Sequence, residues 1–318
     1  MAIQRWQQQG QTTANNNYVE LSFVRTVSEP NNAATVNALV NTHTLINNGE
    51  HNPVPLSSAE HIVAQSRQYP IAINTLGHYS LIVNNKLKNS DNKGHRKPNE
   101  LLKVLIAFGG KSVGEVRISD AMWPDADGDV AHTSFSVTLH RLRKLLGSEA
   151  LLLNDGHLTL NSQRCWVDVW ELEKTLNKLK DTINSQQIDH NLIIQLSNQA
   201  LQLYHGPFLG NEDEQPWYIA YRDKISNKFS NCLMLICDYL ERINRCDLAM
   251  QFYRKGIEID ALQEEYYIRL MKCYALKNRY AEAIATYQQF TRLLDALIGI
   301  APSADSTNLY RNILRQAQ

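Results

Sequence analysis

A single dipeptide, Asp155-Gly156, constrains the middle of this chain most. It joins two short apolar runs, LLLN and HLTL, and an Asp-Gly pair so flanked closes a two-residue hairpin. What precedes the hairpin has helical periodicity. Phe135, Leu139, Leu142 and Leu146 fall at i, i+4, i+7 and i+11, one apolar stripe that Gly147 ends. Asp129 is the expected N-cap, so this third helix is read over Val130–Leu146. Before it, a short helix fits Glu115–Trp123, and a longer one fits Lys97–Gly109 with Pro98 in its first turn and Leu101, Leu102, Leu105, Ile106 and Phe108 on one face. Further upstream, IAINTLGHYSLIVNNK alternates in strand fashion, with turn signals at Leu76-Gly77-His78 and Asn84-Asn85 that predict a small antiparallel sheet.

Strands, three helices and a closing hairpin make a winged helix-turn-helix over 70–165. From 166 onward the chain reads as helix, and an internal repeat emerges from simple arithmetic. Ala249, Tyr253 and Gly256 recur as Ala283, Tyr287 and Phe290, each displaced by 34 residues, and Leu233, Ile236 and Leu240 map likewise onto Tyr267, Leu270 and Tyr274. That period is the tetratricopeptide spacing, in which helix pairs that cannot bury an apolar face alone stack into an array. Helices over Trp166–Lys178, Asn191–Tyr204 and Trp217–Ile243 are expected to join it. The predicted fold class is therefore mainly α: an α+β winged helix followed by an all-α, tetratricopeptide-like superhelix over 166–318. Residues 1–69 hold ten Asn and only three basic residues, Arg5, Arg25 and Arg67. They read as a polar N-terminal extension or the remnant of a preceding domain, with a short strand at Val19–Val24 and a helix at Ala33–Ile46.

Net charge is zero, which by itself speaks against a nucleic-acid partner. The regional count reverses that argument. Residues 86–111 carry seven basic side chains against Asp91 and Glu100, and 112–129 carry Arg117 against Glu115, Asp120, Asp125, Asp127 and Asp129. Between Asp129 and Glu149 there is no acid, while Arg141, Arg143 and Lys144 are all cationic. Opposite the apolar stripe of the third helix lie Thr133, Ser134, Val137, His140, Arg141 and Lys144, with Thr138 and Arg143 at the margins. Arg can bridge guanine acceptors in the major groove, small hydroxyl residues allow close approach, and Val137 can meet a thymine methyl. At the hairpin tip Asn154, Gly156, His157 and Thr159 are short or polar enough to lie against phosphate. The same RLRK run also fits a solvated helix face whose cations favour the C-terminal dipole. The hairpin that follows favours the recognition reading, since it leaves this helix as the reading element.

Other chemistry is excluded by spacing. Gly110-Lys111-Ser112 lacks the earlier glycine of a phosphate-binding loop, because position 105 is Leu. Asp125, Asp127 and Asp129 imitate a calcium loop, but Val130 and Ser136 stand at its glycine and glutamate positions. No HExxH or GxSxG motif occurs, and the five cysteines form no CxxC pair. No enzyme, metal or cofactor is expected. A reducing cytoplasm suits the cysteines, and the absence of a membrane-length apolar run or a leader-like N-terminus predicts a soluble chain without membrane contact.

The run KPNELLKVLIAFGG…ISDAMWPDADGDVAHTSFSVTLHRLRKLLG…LLLNDGHLTLN…CWVDVWELE resembles the OmpR-type winged helix of the SARP transcriptional activators. LYHGPFLGNEDEQPWYIAYRDKI, EEYYIRLMKCYALKNRYAEAIATYQQF and PSADSTNLYRNIL resemble their bacterial transcriptional activation domain. The resemblance spans roughly 70–318. It implies sequence-specific binding of double-stranded DNA, often at promoter repeats where copies assemble as a homo-oligomer, and recruitment of RNA polymerase. It places Thr138, His140, Arg141 and Arg143 against DNA, and implies that the chain is part of a larger regulator. His140 and Asn85 depart from the family pattern. Trp217, Tyr221 and Arg222 are candidate partner-binding residues in the helical array. The competing reading is a tetratricopeptide adaptor whose winged helix touches only protein.

Overall fold

The computed structural model describes Ser66, residues 68–88 and residues 94–317. The strand and helix expected at Val19–Val24 and Ala33–Ile46 lie outside the described residues. The first described elements are β1 (Ile71–Asn74), β2 (Ser80–Val83) and β3 (Lys86–Lys88), an antiparallel meander. The β2–β3 turn needs two residues at positive φ, and Asn84 (50°) and Asn85 (60°) supply them, asparagine being among the few L-residues that tolerate the left-handed region. A fourth strand, β7 (Cys165–Val167), joins β1 in parallel, giving the order β3-β2-β1-β7.

Between these strands lie α1 (Arg96–Ala107), β4 (Val113–Gly114), α2 (Glu115–Met122), α3 (Gly128–Leu146), a short turn of 3-10 helix and the hairpin β5 (Leu151–Asn154) and β6 (His157–Leu160). Asp155 and Gly156 both take positive φ, as the dipeptide predicts, and β4 pairs with β6 so that the wing is a three-stranded sheet. The apolar stripe of α3, Phe135, Leu139, Leu142 and Leu146, is buried, together with Leu101, Leu102, Leu105 and Ile106 of α1. The helix starts earlier than the sequence predicts. Asp127, extended at φ −61° and ψ 153°, is the N-cap, and Asp129 falls inside the first turn where its charge still faces the positive end of the dipole.

The remainder is helical: α4 (Asp168–Ile183), α5 (His190–Leu203), α6 (Pro216–Arg242), α7 (Cys246–Ile259), α8 (Glu264–Leu276), α9 (Tyr280–Leu297) and α10 (Ala304–Gln316). The 34-residue period is carried by the helix ends: α6 stops at 242 and α8 at 276, and α7 starts at 246 and α9 at 280. Size alternates across the repeat. A Cβ on Gly256 of α7 would lie 2.9 Å from the Tyr266 ring of α8, so only hydrogen fits there. Its counterpart Phe290 instead stacks on Tyr267 at 4.3 Å between centroids. The last helix breaks the period, and its N-cap Ser303 accepts from the Ser306 amide.

One buried carboxylate ties the first sheet to the helices. Asp168, the first residue of α4, accepts from the amides of Thr75 (2.7 Å), Leu76 (2.8 Å) and Val169 (2.7 Å) and from the Thr75 hydroxyl (2.6 Å). Burial pushes its pKa up against the pull of these four donors. The loop at Gly206–Gly210 closes on the same place: Leu209 donates to the Thr75 carbonyl at 2.7 Å, and Gly77 donates to that of Pro207 at 2.9 Å.

Candidate nucleic-acid interface

On α3 the exposed side chains follow from where the apolar stripe goes. Thr133, Ser136, Val137, His140, Arg141 and Lys144 are all exposed, at i, i+3, i+4, i+7, i+8 and i+11. Val137 shows 46% of its surface, a large fraction for an apolar residue in mid-helix. Among the described residues no carboxylate lies within ion-pair distance of Arg141 or Lys144, leaving both cations available to an external anion. Ser134 is only half exposed.

Two of the expected contacts face elsewhere. Thr138 is 6% exposed and belongs to the core side, because it is three residues after Phe135 and four before Leu142. Arg143 turns its guanidinium back toward the wing, where Nη2 reaches the Leu151 carbonyl at 3.4 Å, so it braces α3 against β5. Neither side chain presents itself with His140 and Arg141. In compensation the exposed face holds two residues that the sequence reading passed over, Ser136 and His132. Both were visible as members of the Val137 and His140 face, had spacing been weighed before residue type.

On the wing Asn154, Gly156 and His157 are exposed and Thr159 is half-buried. Its tip is fixed. The Gly156 carbonyl accepts from the Glu115 amide at 2.8 Å, the His157 Nδ1 lies 2.8 Å from the Asp155 carbonyl, and the Thr159 hydroxyl accepts from the Ser112 amide at 2.8 Å. Thr159 is therefore a brace for the loop after α1 more than a free contact. Between wing tip, α2 and the start of α3 runs an open cleft lined by Glu115, Arg117, Asp120, His132, Asp155 and His157 among others. His132 Nδ1 lies 2.5 Å from the Glu115 carboxylate across it. Charge on this face is thus divided, with acids around the N-terminus of α3 and cations toward its C-terminal half.

The three candidate partner-binding residues are placed differently from one another. Arg222 is committed internally: its Nε donates to the Phe208 carbonyl at 2.8 Å, its Nη2 to that of Leu209 at 2.6 Å, and its guanidinium stacks 4.6 Å from the Tyr218 ring. It pins the Gly206–Gly210 loop and offers little to a partner. Trp217 and Tyr221 are half buried. Trp217 meets Tyr218 edge to face, and Tyr221 meets Phe208 in the same way while its hydroxyl donates to Glu173 at 3.3 Å. Burial first, and then the Glu173 charge, push the Tyr221 phenol well above its ordinary value.

Residues 167–314 match the family model described as the bacterial transcriptional activator domain. Regulatory protein AfsR of Streptomyces griseus is 22% identical over 237 residues, covering 70% of this chain and 22% of that protein, so the chain spans about a fifth of its relative's length. The structure of Mycobacterium tuberculosis EmbR in complex with a low affinity phosphopeptide shares the fold, with a TM-score of 0.57 at 17% identity, covering 78% of this chain and 66% of that one. The described residues fold as a winged helix followed by an all-helical domain. Among the described residues no helix is long and apolar enough to cross a membrane, and no group of three or more His, Cys, Asp or Glu is arranged to hold a metal ion.

Proposed function

We propose that this chain is a sequence-specific, DNA-binding transcriptional regulator whose winged helix reads duplex DNA and whose helical domain contacts RNA polymerase or partner proteins. The observation that carries the reading is the outward face of α3, six exposed residues at helical spacing with two unpaired cations, standing beside an exposed, braced wing. Arg141 is the side chain best suited to bridge a guanine, His140 and Ser136 can reach base edges, and Lys144 suits phosphate. Because the whole chain is neutral, non-specific attraction is weak, and occupancy depends on base contacts and on several copies assembling at repeated sites.

Selection of bound duplexes from a random pool, followed by titration with the recovered sequence, tests this. Arg141→Ala is expected to cost about 1–3 kcal/mol of binding and to relax preference at one base position. Affinity should fall with salt with a log–log slope of about −0.9 per phosphate neutralised. Failure to enrich any duplex, together with negligible binding to DNA at low salt, would leave the adaptor reading in its place.

A further inference from the structure

The junction between the wing and the helical domain holds a cleft that the DNA-facing surface does not use. Its volume is about 620 Å³, within the range of about 300–1,000 Å³ usual for small-molecule sites. Five separate parts of the chain build it: Gly109-Gly110-Lys111 after α1, Leu152 of β5, Thr159 to Gln163 at the foot of the wing, Trp170 and Glu173 of α4, and Tyr221 and Lys224 of α6.

Its aromatic walls are held in place before any ligand arrives. Gly110, at φ +70°, lets the Trp170 ring come so close that a Cβ there would lie 2.1 Å from it. Tyr221 is fixed by the perpendicular Phe208 ring at 4.9 Å and by its hydrogen bond to Glu173. The charge in the cleft is unbalanced. Glu173 is the sole acid in its lining, and it already receives Tyr221 at 3.3 Å and Lys228 at 3.6 Å, with Lys224 no nearer than 4.0 Å. Lys111 is exposed and has no ion-pair partner among the described residues. Two ammonium groups therefore border two aromatic rings, with the glutamate neutralising less than their sum.

We infer that this cleft is a binding site for a small planar aromatic carboxylate, its ring against Trp170 and Tyr221 and its carboxylate toward Lys111 and Lys224. Aromatic faces favour a flat apolar body, and charge-assisted hydrogen bonds from lysine favour an anion at its edge. The ligand would touch both the foot of the wing and the first helices of the activator domain.

The test uses the full chain without DNA, so it stands apart from the DNA-binding reading. Naphthoate is the probe, with the neutral naphthalenemethanol and the non-aromatic cyclohexanecarboxylate as comparisons, followed by saturation-transfer NMR and calorimetric titration. Saturable naphthoate binding is expected, weakened about tenfold or more by Lys111→Glu and by Lys224→Glu, and unchanged by Lys255→Glu on α7. Both lysines are exposed, so the charge reversals leave the fold intact, which circular dichroism checks. Absence of saturable binding up to the solubility of the probe overturns the site. Equal binding of either comparison compound overturns the ligand class, and indifference to both charge reversals overturns the placement.

Discussion

Replacing Asp168 by alanine is the sharpest test of how the two halves of this chain hold together. The carboxylate satisfies three backbone amides and one hydroxyl, all within 2.8 Å, at a position only 3% exposed. The Thr75 hydroxyl can rotate to another acceptor, but the amides of Thr75, Leu76 and Val169 cannot. Each buried donor left unsatisfied costs about 1–3 kcal/mol, so three of them sum to about 3–9 kcal/mol. Relief of the burial that raises the Asp168 pKa offsets part of this, as does any water that enters the space. A net loss of about 3–5 kcal/mol is expected, a large part of a total stability of about 5–15 kcal/mol. Thr75→Val removes only the hydroxyl and leaves all three amides with their acceptor, so its expected cost is about 1 kcal/mol. Urea unfolding of the full chain, followed by far-ultraviolet circular dichroism and tryptophan fluorescence, measures both. A loss below about 1 kcal/mol for Asp168→Ala, or one no greater than that of Thr75→Val, would refute the clamp.

Three further perturbations follow from particular contacts. Gly256→Ala should destabilise by about 1–3 kcal/mol in thermal or urea unfolding despite the higher helix propensity of alanine, because its Cβ meets the Tyr266 ring at 2.9 Å; a gain in stability would show that the ring yields freely. Arg222→Ala should free the Gly206–Gly210 loop at a cost of about 2–4 kcal/mol, visible as faster amide hydrogen exchange at Gly77 and Leu209, and unchanged exchange there would remove Arg222 as the pin. Glu264 supplies a pH dependence. Burial alone raises it, but hydrogen bonds from Ser306 and Ser303 outweigh burial and leave it below its ordinary 4.5. A depressed carboxylate stabilises the fold above its unfolded value and loses that contribution as pH falls through the lowered folded value. The stability difference between the wild type and Glu264→Gln, measured by urea unfolding, should therefore shrink on acidification below 4.5. A difference that stays constant would show that the charge is not what matters.

Local chemistry determined much of this protein in advance. Asp155-Gly156 specified the wing turn because both residues accept positive φ, Gly147 ended the third helix of the winged domain, and the 34-residue echo seen in the sequence recurs in the helix ends around α7 to α9. Residue type misled where spacing was the better guide. Thr138 is polar yet belongs with Phe135 and Leu142 by helical position, whereas Ser136 belongs with the exposed face. A hydroxyl can enter a helix interior by bonding locally, so polarity alone does not assign a side.

Tertiary structure decided the matters that depend on residues distant in sequence. No local pattern tells Arg222 that carbonyls at Phe208 and Leu209 will reach it, or Arg143 that Leu151 will draw it back from the face of His140 and Arg141. The pairing of Asp168 with Thr75 and Leu76 spans more than ninety residues, and the aromatic cleft exists only where the foot of the wing, α4 and α6 converge. Periodicity and turn chemistry are properties of a few neighbouring residues and survive in the bare sequence. Which donor meets which acceptor, and which cation remains free, is settled by packing among elements that no short window contains.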